Sequence, residues 1–207
     1  MWYASDPVAA RLAEAQFSLG DGPCQEALGS FAPVFASDLS QGTDLRRWPV
    51  FAHMATGLGV HALFSLPLGN GGVAFGTLDL YRKRAGTLSP DDTRTALMAA
   101  DAVAFSVLTV ANGAADADPE GVASWVEAAE ADRDEVHQAV GMVMVQLGVD
   151  PQQALDRLRA HAFRDGSTVT DVARDVVARR LRLTRYDSQE PEERGPKGGC
   201  DQGSGGA

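Results

Sequence analysis

The sequence predicts an α+β domain, with an antiparallel sheet flanked by helices, followed by an all-α bundle of three helices. Two strand-like segments around a glycine-rich turn indicate a β-hairpin within residues 60–81, and helical periodicity runs through residues 122–183. The residues between these regions are small, acidic and turn-prone, which is typical of a linker. We therefore expect a first domain at 1–111, a linker at 112–121, the bundle at 122–185 and a tail at 186–207.

The hairpin is the clearest local signal in the first domain. Val60–Leu68 and Val73–Tyr81 flank the turn Gly69–Gly72, whose residues tolerate positive φ. Alternation along the second segment makes one of its faces more apolar than the other. A short helix is expected at 24–30 and a short strand at Pro33–Ser37. These elements together indicate the α+β class.

A longer helix is predicted to follow the hairpin, over about residues 90–110. Ser89 can cap it, Pro90 takes the first helical position, and Asp92 stands three residues after the cap. Its buried stripe is predicted to consist of residues at helical spacing: Leu97, Ala100, Asp101, Ala104 and Leu108.

Three helices are predicted for the bundle. The first runs from about Val122 to Leu147 and ends at Gly148, while Asp150 and Thr168 can cap the next two. The residues expected to face the core are Val136, Val140, Val143, Met144, Leu147, Leu155, Leu158, Ala162, Val169, Val172, Ala173, Val176 and Leu183. The third helix is expected to continue as far as Leu183. The first half of the first helix overshoots the other two, so we expect it to pair with a second chain in a homodimer.

Composition excludes several classes of function. With 28 acidic against 18 basic residues, the formal net charge is −10, so non-specific coating of nucleic acid or anionic membrane is not expected. No apolar run approaches the roughly 20 residues of a membrane span. The cysteines are Cys24 and Cys200, with no zinc-site spacing, which favours a reducing, cytoplasmic setting. Beyond Leu183 the chain has no Leu, Ile, Val or Phe, and the tail is predicted to be disordered.

No catalytic, metal-binding or cofactor-binding pattern stands out, and we do not expect an enzyme. The four histidines are scattered, without spacing typical of a metal or nucleophile site: His53, His61, His137 and His161. Cys24 lies at a helix start, where the helix dipole can lower a thiol pKa, but a small structural residue is the favoured interpretation. The glycine-rich turn lies between two strands, which excludes a dinucleotide loop.

Charge is segregated along the chain. Residues 155–183 contain seven Arg against four Asp, a local charge of +3, whereas residues 1–120 contain seven basic and thirteen acidic residues, a charge of −6. Arginine can bind phosphate bidentately and stack on bases. The last two helices are therefore either a phosphate-facing surface or simply a solvated helix face in an arginine-rich chain.

Three segments of the bundle, Asp134–Val149, Gln153–Phe163 and Thr170–Val177, together resemble an ANTAR domain over about 50 residues. Members of that family are RNA-binding antitermination modules of bacterial regulators, which bind paired hairpins bearing hexanucleotide loops as dimers. The resemblance implies that each bundle engages one loop by stacking and phosphate contacts.

The resemblance also suggests site residues. Many family members carry Lys between the Ala and the Gly of the first helix, where this chain has Val140, which leaves the cationic role to arginines of the later helices. The candidate RNA-binding residues are His137, Gln138, Gly141, Arg159, Arg164, Arg174 and Arg179.

The first domain is similar to a GAF domain of the kind that precedes ANTAR in actinobacterial proteins. The residues that carry the likeness include Gln16-Phe17, Gly20–Cys24, Arg47–Pro49, Gly59–Ala62 and Gly76–Tyr81. GAF domains sense small molecules or redox state, which implies a pocket near the central sheet whose ligand the sequence does not identify. Such domains usually begin with a helix and a strand before this point, so we expect an N-terminally truncated version.

These observations predict a cytoplasmic RNA-binding transcription antitermination regulator. Its expected partners are hairpin loops of leader transcripts, a second copy of the chain, and an unknown small molecule in the GAF domain, with no membrane and no cofactor. One alternative is a protein–protein regulatory module in which the bundle serves only for dimerisation. Another is a DNA-binding helix pair, although the third helix carries few groove-reading polar residues near its start.

Overall fold

The computed structural model describes residues 3–70, 72–111 and 122–184, so the predicted linker and tail lie outside the described residues. The fold is the predicted one: an antiparallel sheet with helices, then a helical region. The elements in chain order are α1 (Pro7–Leu19), α2 (Pro23–Ser30), β1 (Val34–Ala36), α3 (Gly42–Arg47), α4 (Pro49–Gly57), β2 (Ala62–Asn70), β3 (Val73–Arg82), α5 (Pro90–Ala111), α6 (Val122–Leu147), α7 (Pro151–Asp165) and α8 (Val169–Val177).

The described sheet has the order β1–β2–β3, with both neighbouring pairs antiparallel. The predicted hairpin is confirmed as β2 and β3, which pair Phe64 with Leu80 and Ser65 with Asp79. A β-bulge between Leu68 and Gly69 shifts the register close to the turn. The central strand β2 is almost entirely buried, because helices cover it.

Helix α1, to which the sequence analysis assigned no element, is capped at both ends. Asp6 Oδ1 accepts hydrogen bonds from the amides of Val8 (2.8 Å) and Ala9 (2.9 Å), and Gly20 ends the helix at φ 65°. Tyr81 Oη donates to Asp6 Oδ2 over 2.9 Å, which ties the start of α1 to β3. Helices α3 and α4, which lie between β1 and β2, were likewise not predicted from the sequence.

Helix α5 packs on the sheet through alanines. The predicted Ser89 cap is confirmed, since its Oγ accepts from the Asp92 amide over 3.1 Å. A separate small core joins alanines of α5 to leucines of β2, and its buried residues are Leu66, Leu68, Ala96, Ala100 and Ala104. The prediction that Leu97 and Asp101 are buried is wrong, because both are exposed. The small residues at i, i+4 and i+8 let the helix approach the sheet closely, which turns the larger side chains one position along toward solvent.

The bundle of α6, α7 and α8 has its own core. Both predicted caps are present: Asp150 Oδ1 accepts from the Gln153 amide (2.8 Å) and Thr168 Oγ1 from the Asp171 amide (3.0 Å). The buried residues are Val136, Ala139, Val143, Leu147, Ala154, Leu158, Ala162, Val169, Val172, Ala173, Val176 and Leu183, with Val140, Met144 and Leu155 half-buried around them. The third helix is shorter than predicted, since α8 ends at Val177 and Leu183 reaches the core from the segment beyond it.

Candidate nucleic-acid interface

A groove of about 700 Å³ runs between α6 and the segment that follows α8. The lining residues combine apolar side chains with amides and guanidinium groups: Gln138, Gly141, Met142, Val145, Gln146, Val176, Arg179, Leu181 and Arg182. A flat ring with polar edges, such as an unstacked base, is the type of ligand that such a mixed lining can hold.

The sequence of α6 places this groove on the side away from the bundle core. Val136 and Val143 are buried in the core, and Gln138 lies two residues after Val136, about 200° around the helix. Gly141 opens the groove, because a Cβ atom built at this position would meet no atom within 4 Å. Its small size is therefore not required by packing between the described helices, which leaves space for a ligand to approach the α6 backbone.

Arg179 stands in a backbone conformation that usually favours glycine. Its φ is 58°, in the left-handed region, just after the end of α8. The conformation closes the end of the helix, because the amides of Arg180 (2.8 Å) and Leu181 (3.1 Å) both reach back to the Asp175 carbonyl. An arginine here carries a conformational cost that glycine would avoid, which is a feature often found at functional positions.

The arginines of the groove differ in ion pairing from three other arginines of the bundle. Arg174 pairs with Asp171 over 3.1 Å, Arg180 with Asp175 over 2.6 Å, and Arg164 with Asp165 over 2.9 Å. Within the part of the chain that the structure describes, Arg179 and Arg182 have no carboxylate partner and are exposed. The groove is thus where positive charge remains uncompensated and available to an anion.

Gln146 contributes an unusual polar group to the groove wall. Its Oε1 is inaccessible to solvent and has no hydrogen-bond partner among the described residues. A buried polar atom without a partner costs free energy, which would be recovered if the side chain turned Oε1 into the groove and accepted a hydrogen bond from a ligand. Gln146 and Arg182 line the groove but were not predicted as site residues from the sequence. The spacing i, i+4, i+8 puts Gln146 on the same helix face as Gln138 and Met142, which could have indicated Gln146.

A polar cluster lies in the interior of the first domain. Gln16 is completely buried; its Nε2 donates to Asp79 Oδ2 over 2.9 Å and its Oε1 accepts from the Cys24 amide over 2.8 Å. Burial raises the pKa of the Asp79 carboxyl group above its ordinary value. Burial, with repulsion from Asp79 as a second cause, also raises the pKa of the Cys24 thiol. Cys24 is therefore a buried structural residue at the start of α2, not an activated nucleophile.

Comparison with known families assigns both parts of the chain. A family model of the GAF domain matches residues 3–107, and a family model of the ANTAR domain matches residues 126–177. The chain is a GAF and ANTAR domain protein. ANTAR domains are RNA-binding antitermination regulators and GAF domains are signal sensors, so both families are regulatory and neither is enzymatic.

Other comparisons add little. No curated protein matches the chain. One solved structure is described as a domain of a two-component sensor histidine kinase protein from Sinorhizobium meliloti 1021. It is 23% identical, with a TM-score of 0.35, over 41% of this chain and 56% of its own. The alignment therefore spans little more than half of that solved chain.

The predicted RNA-binding residues of the ANTAR bundle fall into separate groups. Gln138, Gly141 and Arg179 line the groove together. His137 is exposed on α6 and does not line it. Arg164 and Arg174 lie outside the groove and pair with carboxylates; a hydrogen bond from Arg164 lowers the pKa of Asp165. Val140 is half-buried against the bundle core, as its place in the periodic pattern predicts, and points away from Gln138.

Arg159 is the predicted site residue whose position is least expected. Its side chain is only 17% exposed and pairs with Asp156 over 3.5 Å. Its Nε also donates to the carbonyl oxygen of Phe17, at the end of α1 in the GAF domain, over 3.3 Å. The structure therefore places this cation between the two domains, outside the groove.

The described residues contain no cluster of three or more His, Cys, Asp or Glu that could hold a metal ion. Among the described helices, none combines the length and the hydropathy needed to cross a membrane.

Proposed function

We propose that this protein is an RNA-binding transcription antitermination regulator, in which the groove of the ANTAR bundle binds unpaired nucleotides of an RNA hairpin loop. One observation carries the proposal: Arg179 and Arg182 line the same groove as the amides of Gln138 and Gln146. Neither arginine has a carboxylate partner among the described residues. RNA loops offer these groups phosphates and splayed bases at the same time.

Each part of the groove has a role in this proposal. The arginines bind backbone phosphates and can stack on a base. The exposed Gln138 amide can donate to and accept from a base edge, and the Gln146 amide can do so once its side chain turns outward. Met142 and Val145 offer an apolar surface to the face of the ring. Val145 is 87% exposed, so this surface is open to a ligand. Gly141 allows the sugar–phosphate backbone to approach α6 closely.

We further propose that the protein acts as a homodimer. Helix α6 has 26 residues against 15 in α7, so at about 1.5 Å per residue it extends well beyond the bundle. Helix α5, which precedes it, exposes Met98 (66%) and Phe105 (73%) seven residues apart on one face. This exposed apolar pair on α5 supports pairing with a second copy, which would present two grooves to two loops. Phe105→Glu should then shift the sedimentation coefficient toward that of the monomer.

The proposed role is binding rather than catalysis, and we place it in the cytoplasm, where nascent leader transcripts are found. The GAF domain is proposed to sense a signal of unknown chemistry. Support for these statements comes from the regulatory character of both families.

The test is binding of the purified full chain to a hairpin pair with two hexanucleotide loops, titrated across salt concentration. Controls are the same RNA with scrambled loops, a single-loop hairpin and duplex DNA. Arg179→Ala and Arg182→Ala should each weaken loop-dependent binding and reduce the salt slope by about one. Arg180→Ala is the matched control, because this neighbouring arginine is already paired with Asp175 and should change little.

The outcomes separate the alternatives. Loop-dependent binding that needs both loops supports the antitermination role, whereas equal affinity for single loops would contradict the paired-loop arrangement. Equal, weak binding to all RNAs would refute RNA recognition and favour a protein–protein module. Effective competition by duplex DNA would indicate a DNA-binding helix pair instead.

A further inference from the structure

The last turn of α1, residues 16–20, is held by the GAF domain on one side. We refer to these residues as the α1 turn. Gln16 is fully buried, and its amide joins Asp79 on β3 to the Cys24 amide at the start of α2. A change in the interior of the GAF domain that disturbed either hydrogen bond would therefore alter the position of Gln16 and, with it, the α1 turn.

The ANTAR bundle holds the other side of the same turn. The Phe17 ring packs against the bundle core, and its carbonyl oxygen accepts from Arg159 Nε (3.3 Å). Ser18 Oγ accepts from the Val169 amide over 3.1 Å. That amide belongs to the first residue of α8, where an N–H has no partner within its own helix. The α1 turn thus supplies an acceptor that α8 cannot provide for its own first amide.

Gly20 determines how closely Arg159 approaches the turn. Gly20 ends α1 with φ 65°, and a Cβ atom built on it would lie 2.7 Å from Arg159 Cζ and 2.8 Å from Nη1. The guanidinium group therefore occupies the space next to the glycine, at the helix end where the dipole is negative. In this arrangement the Arg159 side chain is only 17% exposed, which leaves a phosphate little access to the guanidinium group.

We propose that the α1 turn is an autoinhibitory contact, which holds Arg159 against the GAF domain and withholds it from RNA until a change in the GAF interior releases the turn. This inference rests on the proposed RNA-binding function. The coupling is direct, because neighbouring residues of one helical turn contact the sensor domain on one side and the bundle on the other. Since the contact consists of a few hydrogen bonds and one ring, it is small enough to be reversed by a ligand.

Two glycines allow a matched test. Gly20→Ala places a methyl group where the Arg159 guanidinium lies, and the long side chain must move away. Gly166→Ala is the control, because Gly166 ends α7 with nearly identical backbone angles (φ 64°, ψ 25° against φ 65°, ψ 22°) and has no atom within 4 Å of the added Cβ. Both variants suffer the same backbone strain, and only the first displaces Arg159. Ser18→Ala, without backbone strain, is a second way to weaken the contact.

Hydrogen–deuterium exchange at Val169 reports the contact independently of RNA, and paired-loop RNA affinity reports its consequence. In the full chain, Gly20→Ala and Ser18→Ala should accelerate exchange at Val169, while Gly166→Ala should not. Gly20→Ala should also bind the paired-loop RNA about three- to ten-fold more tightly than Gly166→Ala, because the competent state becomes more populated.

Each alternative result has a distinct meaning. Unchanged exchange at Val169 in both Gly20→Ala and Ser18→Ala would refute the contact itself. Faster exchange with RNA affinity equal to that of Gly166→Ala would show that the contact exists but does not inhibit. Faster exchange with no RNA binding by any variant, the original chain included, would overturn the proposed function and the inhibition that depends on it, while the interdomain contact stood.

Discussion

Replacement of Arg179 by glycine should make the bundle more stable and a weaker binder of RNA. The residue has φ 58° just after α8, a conformation that costs a residue with a side chain about 1–2 kcal/mol. Glycine avoids this cost but loses more backbone entropy on folding, about 0.5–1 kcal/mol. The balance is a gain of about 0.5–1 kcal/mol in the free energy of unfolding for Arg179→Gly. No ion pair is lost among the described residues, because Arg179 has no carboxylate partner there.

Arg179→Ala separates the backbone effect from the loss of charge. Alanine removes the guanidinium group but retains the left-handed strain, so the stability of this variant should stay close to that of the original chain. Both variants should lose loop-dependent RNA affinity to a similar extent and reduce the salt slope by about one. Arg179→Gly should therefore change both stability and RNA affinity, whereas Arg179→Ala should change RNA affinity alone.

The assay is urea unfolding followed by circular dichroism, together with hydrogen exchange of α8 amides and RNA titration of the same samples. A higher midpoint for Arg179→Gly at unchanged m-value is the expected result. If Arg179→Gly were no more stable than Arg179→Ala, the strain at this position would be refuted. If it were more stable but bound RNA as tightly as the original chain, the strain would stand and the assignment of Arg179 to the RNA site would fail.

Burial raises the pKa of Asp79, so its ionised form opposes folding at a pH above that raised pKa. Asp79→Asn should therefore raise the urea midpoint at pH 7, and this gain should fade as the pH falls through the raised pKa toward the ordinary value of 3.8. A gain independent of pH would contradict the raised pKa. Because burial raises the pKa of the Cys24 thiol, the native protein at pH 8 should label at Cys24 far more slowly than the urea-unfolded chain, whereas equally fast labelling would show that the thiol is accessible. Gln146→Met removes a buried acceptor without a partner and should stabilise the bundle by about 1 kcal/mol while weakening loop-dependent RNA binding; unchanged RNA affinity would remove Gln146 from the site.

Local signals explain what could be predicted well. The caps at Ser89, Asp150 and Thr168 involve residues only three positions apart, and all three are present. The hairpin is likewise encoded by a short turn between two extended segments. The family resemblances rest on such local patterns over long stretches, which is why both domains could be assigned from sequence.

Predictions were less successful where burial depends on the partner surface. The spacing of apolar residues on α5 is compatible with more than one buried stripe. In the structure its small alanines pack against Leu66 and Leu68 of the sheet. Leu97 was therefore expected in the core and is exposed. Helix α1 shows the same limitation, because part of what holds it, the bonds from Tyr81 to Asp6 and from Gln16 to Asp79, spans more than 60 residues of sequence.

The sequence by itself determined the fold class, most of the longer helices, the hairpin, both families and part of the candidate site. Capping, turn formation and periodicity depend on residues close together in the chain, so they can be recognised in the sequence. Tertiary structure alone decided which arginines share a groove and which are paired, and it placed Arg159 against the end of α1. Those outcomes depend on which surfaces meet across a separation of 142 residues, and contacts at that range follow from the packing of whole elements rather than from local spacing.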